Sequence, residues 1–159
     1  MILGLPRSRT AWLANFFTTE KTFCFHEPLA KMYSYREIES LKTDRITGLA
    51  DTGLGWFDLS IYPCKKVIIH RAVNDVNRAL KRKGMSVDMS ILADRLKHVD
   101  GLHIEYEQIN ERLPEIWQYC TNLPYDELRG EALKNFNVQV LDLPIDEEKI
   151  NSLRAEITC

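Results

Sequence analysis

Nowhere in its 159 residues does this chain hold an apolar run approaching the roughly 20 residues that a helix needs to span a bilayer. A helical membrane protein is therefore excluded as a reading, and no membrane partner is expected. The first residues carry no basic stretch followed by an apolar one, so no secretory signal is expected there. The four cysteines, Cys24, Cys64, Cys120 and Cys159, stand far apart and form no C-x-x-C pair, which argues against a zinc site and against a dithiol redox motif. Reduced thiols in a cytoplasmic protein are the expectation. Repeats, low-complexity tracts and long linkers are also missing. The length suits one domain with a sizeable core, so residues 1–159 are read as a single domain.

An excess of charge of either sign is lacking too, with a net charge of −2. What charge there is lies unevenly. Residues 65–83 hold seven Lys/Arg against one acid, Asp75, whereas the chain after Asp100 is acid-rich. A local basic face on a near-neutral protein suits a small polyanion better than a long nucleic acid, so no nucleic-acid partner is expected. A solvated basic helix face is the alternative.

What the sequence does have is an N-terminal stretch suited to an anion. Ile2 to Leu5 reads as a short buried strand, and the residues from Thr10 onward suit a helix. The turn between them holds Arg7, Ser8, Arg9 and Thr10. A strand passing through a tight turn into a helix presents unpartnered backbone N–H groups to a negative ligand. The two arginines add fork-shaped donors matched to phosphate or sulfate oxygens. An exposed basic turn capped by Ser8 or Thr10 is the alternative. The Walker A loop is excluded, because neither its second glycine nor its lysine follows Gly4.

Apolar, β-prone runs recur at 2–5, 22–26, 46–50, 67–70, 102–106 and 138–143. Helical patterns fall near 10–18, 35–41, 74–83, 89–98, 113–121, 125–136 and 147–156. This alternation predicts an α/β fold in three layers, with a mainly parallel central sheet flanked by helices. Ligands of such sheets bind beyond the carboxyl ends of the strands, so the polar residues that follow each run matter most.

The second run ends in His26 and Glu27, and Pro28 is expected to hold Glu27 extended and stop strand pairing. Glu27 is placed to accept a proton from an attacking hydroxyl or to pair with Arg7 or Arg9. Asp51 closes the third run, as a magnesium-binding aspartate of a P-loop kinase would, or as the aspartate of a local turn. The fourth run ends in Arg71 and is followed by Asp75-Val76. Arg78 lies seven residues beyond Arg71, about two helical turns, and projects from the same side if the helix starts that early.

Three of these segments resemble sulfotransferases. Pro6-Arg7-Ser8-Arg9-Thr10-Ala11-Trp12-Leu13 resembles their 5′-phosphosulfate loop, P-[KR]-S-G-T-[TS]-W-L, departing at Arg9 and Ala11. The strand ending in Arg71, then x-x-x-D-V, resembles their 3′-phosphate motif, although the usual serine eight residues after the arginine is Ala79. Glu105-Tyr106-Glu107 and the helical pattern after it resemble the segment that ends in Y-E-D-L. Glu27-Pro28-Leu29 is similar to a segment of carbohydrate sulfotransferases.

The resemblance implies a P-loop NTPase-like fold and a sulfuryl group transferred without metal. The donor would be 3′-phosphoadenylyl sulfate (PAPS), the acceptor a hydroxyl or amine of a small molecule or glycan. It assigns the cofactor to Arg7, Ser8, Thr10 and Arg71, with Arg7 at the bridging oxygen and Glu27, or failing that Asp51, as base. Arg9, from the charge of the turn, and Arg78, from its spacing to Arg71, are further cofactor contacts expected from the residues themselves. Two other readings stay open, a P-loop kinase of a nucleotide or small molecule and a non-catalytic interaction protein that keeps the fold.

Overall fold

A computed structural model describes residues 1–30, 41 and 43–134. Five strands follow the apolar runs of the sequence: β1 (Ile2–Gly4), β2 (Thr22–His26), β3 (Ile46–Ala50), β4 (Val67–His70) and β5 (Leu102–Glu105). They form one sheet in the order β2-β3-β1-β4-β5, and every neighbouring pair is parallel. The helices are α1 (Thr10–Phe16), α2 (Val73–Lys81), α3 (Ser90–Lys97), α4 (Leu113–Thr121) and α5 (Glu127–Lys134). The expected strand at 138–143 and helix at 147–156 lie outside the described residues, as does most of the one at 35–41.

Both faces of the sheet are covered, and β4 shows why its sequence is apolar from Val67 to Ile69. Successive strand side chains point to opposite faces. Val67 and Ile69 pack in a cluster with Trp12, Phe16, Ile116 and Trp117, from α1 and α4. Ile68 faces the other way, into a cluster with Val76, Leu80, Leu92 and Leu96, from α2 and α3. In the first layer Trp117 stacks on Phe17, with ring centroids 5.4 Å apart, and meets Phe16 edge-on. Cys24, Cys64 and Cys120 are free thiols. Among the described residues no helix is long and apolar enough to cross a membrane.

The strand order fixes where a ligand crevice can open. From β1 the chain leaves toward β2 at one edge, while from the adjacent β4 it leaves toward β5 at the other. Such a divergence at neighbouring carboxyl ends leaves a crevice between the connections. Here the segments that follow β1 and β4 at this switch point are residues 5–10 and 71–72.

Candidate functional site

The turn after β1 folds back tightly because Gly4 has no side chain. A Cβ there would lie 3.2 Å from the Ser8 Cβ and 3.3 Å from both the Cβ and carbonyl oxygen of Ile69. The Ser8 amide donates to the Leu5 carbonyl at 3.2 Å and closes the turn. Arg7 and Arg9 both adopt left-handed backbone conformations, with φ of 68° and 62°. Glycine adopts this region without strain, whereas an L residue there costs about 1–2 kcal/mol. The glycine that the resemblance leads one to expect at position 9 thus has a geometric reason, and Arg9 occupies its conformation at some cost. Ser8 is wholly buried, and its Oγ has no hydrogen-bond partner. Leaving a buried hydroxyl unsatisfied costs about 1–3 kcal/mol, a penalty that an anion's oxygen would relieve.

The arginines are held from several sides. Arg9 Nη1 donates to Asn110 Oδ1 at 2.7 Å, and its guanidinium lies 4.1 Å from the Trp12 ring centre. Burial lowers its pKa, with Tyr106 acting in the opposite sense. Arg71 Nη1 donates to the Arg7 carbonyl, and its guanidinium lies 4.2 Å from the Tyr106 ring centre. One arginine therefore ties the end of β4 to the turn after β1 and to the segment after β5. Its remaining guanidinium donors stay available, since arginine carries five. Arg7 itself is exposed.

Arg78 is not brought to this cluster. Helix α2 starts at Val73, with Ala72 still non-helical (ψ 122°), so the two-turn spacing counted from Arg71 does not apply. Arg78 is exposed and pairs with Asp75 at 3.5 Å across one turn of α2.

Glu27 differs from expectation in its backbone. Its φ is 47°, left-handed rather than extended, and its amide still continues the ladder by donating to the Ala50 carbonyl at 2.8 Å. Pro28 begins a short 3-10 turn, Pro28–Ala30, a first position where its fixed φ and missing N–H are tolerated. The local preference of a residue before proline is overridden by contacts of the carboxylate. Thr52 donates to it through its amide, at 3.3 Å to each oxygen, and through its hydroxyl at 3.1 Å. Burial and the neighbouring Asp51 carboxylate push the Glu27 pKa up to about 7, against the Thr52 bonds. His26 joins this carboxylate to the first turn of α1, with its Nε2 3.7 Å from Glu27 Oε1 and 3.5 Å from Thr10 Oγ1.

Asp51 is fully buried, and both its oxygens accept backbone N–H groups, from Leu29 at 2.8 Å and from Gly53 at 2.6 Å. The second is the local aspartate turn considered above. No group of three or more His, Cys, Asp or Glu side chains able to hold a metal occurs among the described residues.

Sequence reasoning missed Thr52 and Asn110, and named Tyr106 only within the segment resembling Y-E-D-L, not as the partner of Arg71. Tyr106 and Asn110 fix arginines that lie 35 and 101 positions earlier in the chain, and Thr52 fixes Glu27 from 25 positions later. The short polar segments after β3 and β5 were the available signal. In comparison with known proteins, the sequence matches no family model, and no curated protein and no solved structure matches it.

Proposed function

We propose that this chain is a sulfotransferase-like protein of P-loop-like fold. It moves a sulfuryl group from PAPS to a hydroxyl or amine of a small-molecule or glycan-like acceptor. The observation that carries the reading is the meeting of Arg71 and Arg7. The two segments that resemble the 3′-phosphate and 5′-phosphosulfate motifs lie far apart in sequence, yet a hydrogen bond joins them at the switch point of strand order between β1 and β4. The buried, unpartnered Ser8 hydroxyl and the two arginines flanking it fit an anion.

PAPS, when bound, supplies the sulfuryl group and leaves as adenosine 3′,5′-bisphosphate. The protein's part is positional and electrostatic. Ser8 and Arg7 offer donors where negative charge grows on the bridging oxygen as the S–O bond breaks. Arg71 supplies a charge-assisted contact for the 3′-phosphate. Glu27 takes the acceptor's proton as the new bond to sulfur forms. A carboxylate whose pKa stands near 7 is well matched to that task, because it both accepts and releases a proton near neutrality.

The kinase reading rested on Asp51, whose two oxygens are engaged by backbone amides, so it loses its main support. A non-catalytic role draws on Arg9, whose side chain is committed to Asn110 and Trp12. Thermal shift separates the three. Stabilisation by adenosine 3′,5′-bisphosphate but not by ATP with magnesium is expected. The reverse pattern supports the kinase, and no response to either supports the non-catalytic protein.

A further inference from the structure

An open cleft of about 1080 Å³ lies beside Arg71, against the carboxyl ends of β4 and β5 and the length of α3. On its wall two imidazoles meet. In the β4–β5 register Ile68 lies opposite His103 and His70 opposite Glu105. His70 and His103 thus point to one face as diagonal neighbours, a separation that long side chains can bridge. Their rings stack 5.0 Å apart within 10° of parallel, and His70 Nε2 lies 2.7 Å from His103 Nδ1.

The partners fix the protons. His103 Nε2 lies 2.8 Å from the Val99 carbonyl, which can only accept, so this nitrogen carries the hydrogen. In the neutral ring Nδ1 is then the acceptor, and His70 Nε2 is the donor. One added proton is compatible with the bond, because a single hydrogen still lies between the rings. Two added protons are not. Both rings would then direct N–H at the same gap, and two cations would be in contact.

The bond lies next to the anion contacts. Arg71 directly follows His70, Tyr106 directly follows Glu105, and the Arg71 guanidinium rests on the Tyr106 ring. We propose that the His70–His103 pair is an acid-sensitive clamp. It holds the ends of β4 and β5 in register with at most one added proton. It parts when both rings are protonated, shifting Arg71 from Tyr106 and weakening anion binding. The last step rests on the reading of Arg71 as an anion contact; the clamp itself does not.

The surrounding charges set its range. On the strands themselves, Arg71 and Glu105 adjoin the pair. From α3, Asp94, Arg95 and Lys97 face the cleft, and Glu107 faces it from the segment after β5. Arg112 reaches the His103 carbonyl rather than its ring. Burial, then His103, lower the His70 pKa, with Lys97 adding to this and Glu105 opposing. Protonation of His70 is therefore displaced to the acid side of an ordinary histidine.

The test is an NMR titration of the full-length, 15N-labelled protein from about pH 8 to about pH 4, which covers the ordinary histidine range and the acid below it. It reads the nitrogen–nitrogen coupling across the His70–His103 bond and the Arg71 Nε resonance. The clamp requires a coupling at neutral pH that disappears in acid together with a shift of the Arg71 signal. In His103→Asn, whose amide oxygen still accepts but cannot titrate, the Arg71 signal should stay in place. No coupling at neutral pH, or an equal Arg71 shift in the variant, overturns the proposal. If the variant does not fold, the wild-type titration decides alone.

Inorganic sulfate binding is measured alongside. A several-fold weaker affinity in acid for the wild type than for the variant supports the link to the anion site, and equal behaviour overturns that link. If sulfate binds at no pH while coupling and shift follow the stated course, the clamp stands and the proposed function falls.

Discussion

The Arg71 side chain donates a hydrogen bond to the backbone carbonyl of Arg7, bridging 64 positions of sequence. The bond joins the turn after β1 to the end of β4, and it makes Arg71 both a structural tie and the nearest candidate for a second anion contact. Arg71→Ala should weaken adenosine 3′,5′-bisphosphate binding by about 1.5–3 kcal/mol, the range for a hydrogen bond to a charged group. Calorimetry checks this, and an unchanged dissociation constant removes Arg71 from the site.

Glu27 makes two pH predictions. As a base it must be ionised, so sulfuryl transfer should rise with pH through about 7. Glu27→Gln should abolish turnover while leaving cofactor binding intact. Continued transfer at the original rate would show that another group takes the proton.

Its effect on stability has the opposite sense. The folded value, about 7, lies above the ordinary carboxyl value, so protonated Glu27 favours the fold. That contribution is full below about pH 4 and lost as pH rises through 7, about 3 kcal/mol in all. Urea midpoints of wild type and Glu27→Gln should therefore diverge between pH 5 and pH 8, the wild type losing ground. Parallel curves would contradict the buried, charge-opposed environment assigned to Glu27.

Asp51 is tied to backbone amides from two segments. Asparagine keeps one acceptor oxygen of the two, so Asp51→Asn should destabilise the fold by about 1–3 kcal/mol. It also removes the charge that helps raise Glu27. The Glu27 midpoint, followed by 13C NMR, should fall below about 7, and an unmoved midpoint would mean that burial alone sets it.

Gly4 is the hinge on which the turn depends. Gly4→Ala introduces a methyl 3.2 Å from Ser8 Cβ and 3.3 Å from the wholly buried Ile69. Overpacking of this kind costs about 1–3 kcal/mol, visible as a lower denaturant midpoint. Anion binding should drop with it, since Ser8 is displaced.

Much of the scaffold was readable from the chain. The five apolar runs at 2–5, 22–26, 46–50, 67–70 and 102–106 became five parallel strands, and the central β1 and β4, buried on both faces, are the ones apolar without alternation from Ile2 to Gly4 and from Val67 to Ile69. The polar residues that follow them stand at the carboxyl edge as expected. Local rules failed where distant contacts outweighed them. Proline should have extended Glu27, but Thr52 holds its carboxylate in a turn. Arg78 was counted onto the side of Arg71, but α2 begins only at Val73. The His70–His103 contact was illegible, because it depends on the register of two parallel strands 33 residues apart. Nothing local encodes that register.

The most direct test of the account is a co-crystal structure with adenosine 3′,5′-bisphosphate. The 5′-phosphate should lie at Ser8 and Arg7 and the 3′-phosphate on Arg71. A nucleotide bound elsewhere, or none bound at saturating concentration, would contradict it.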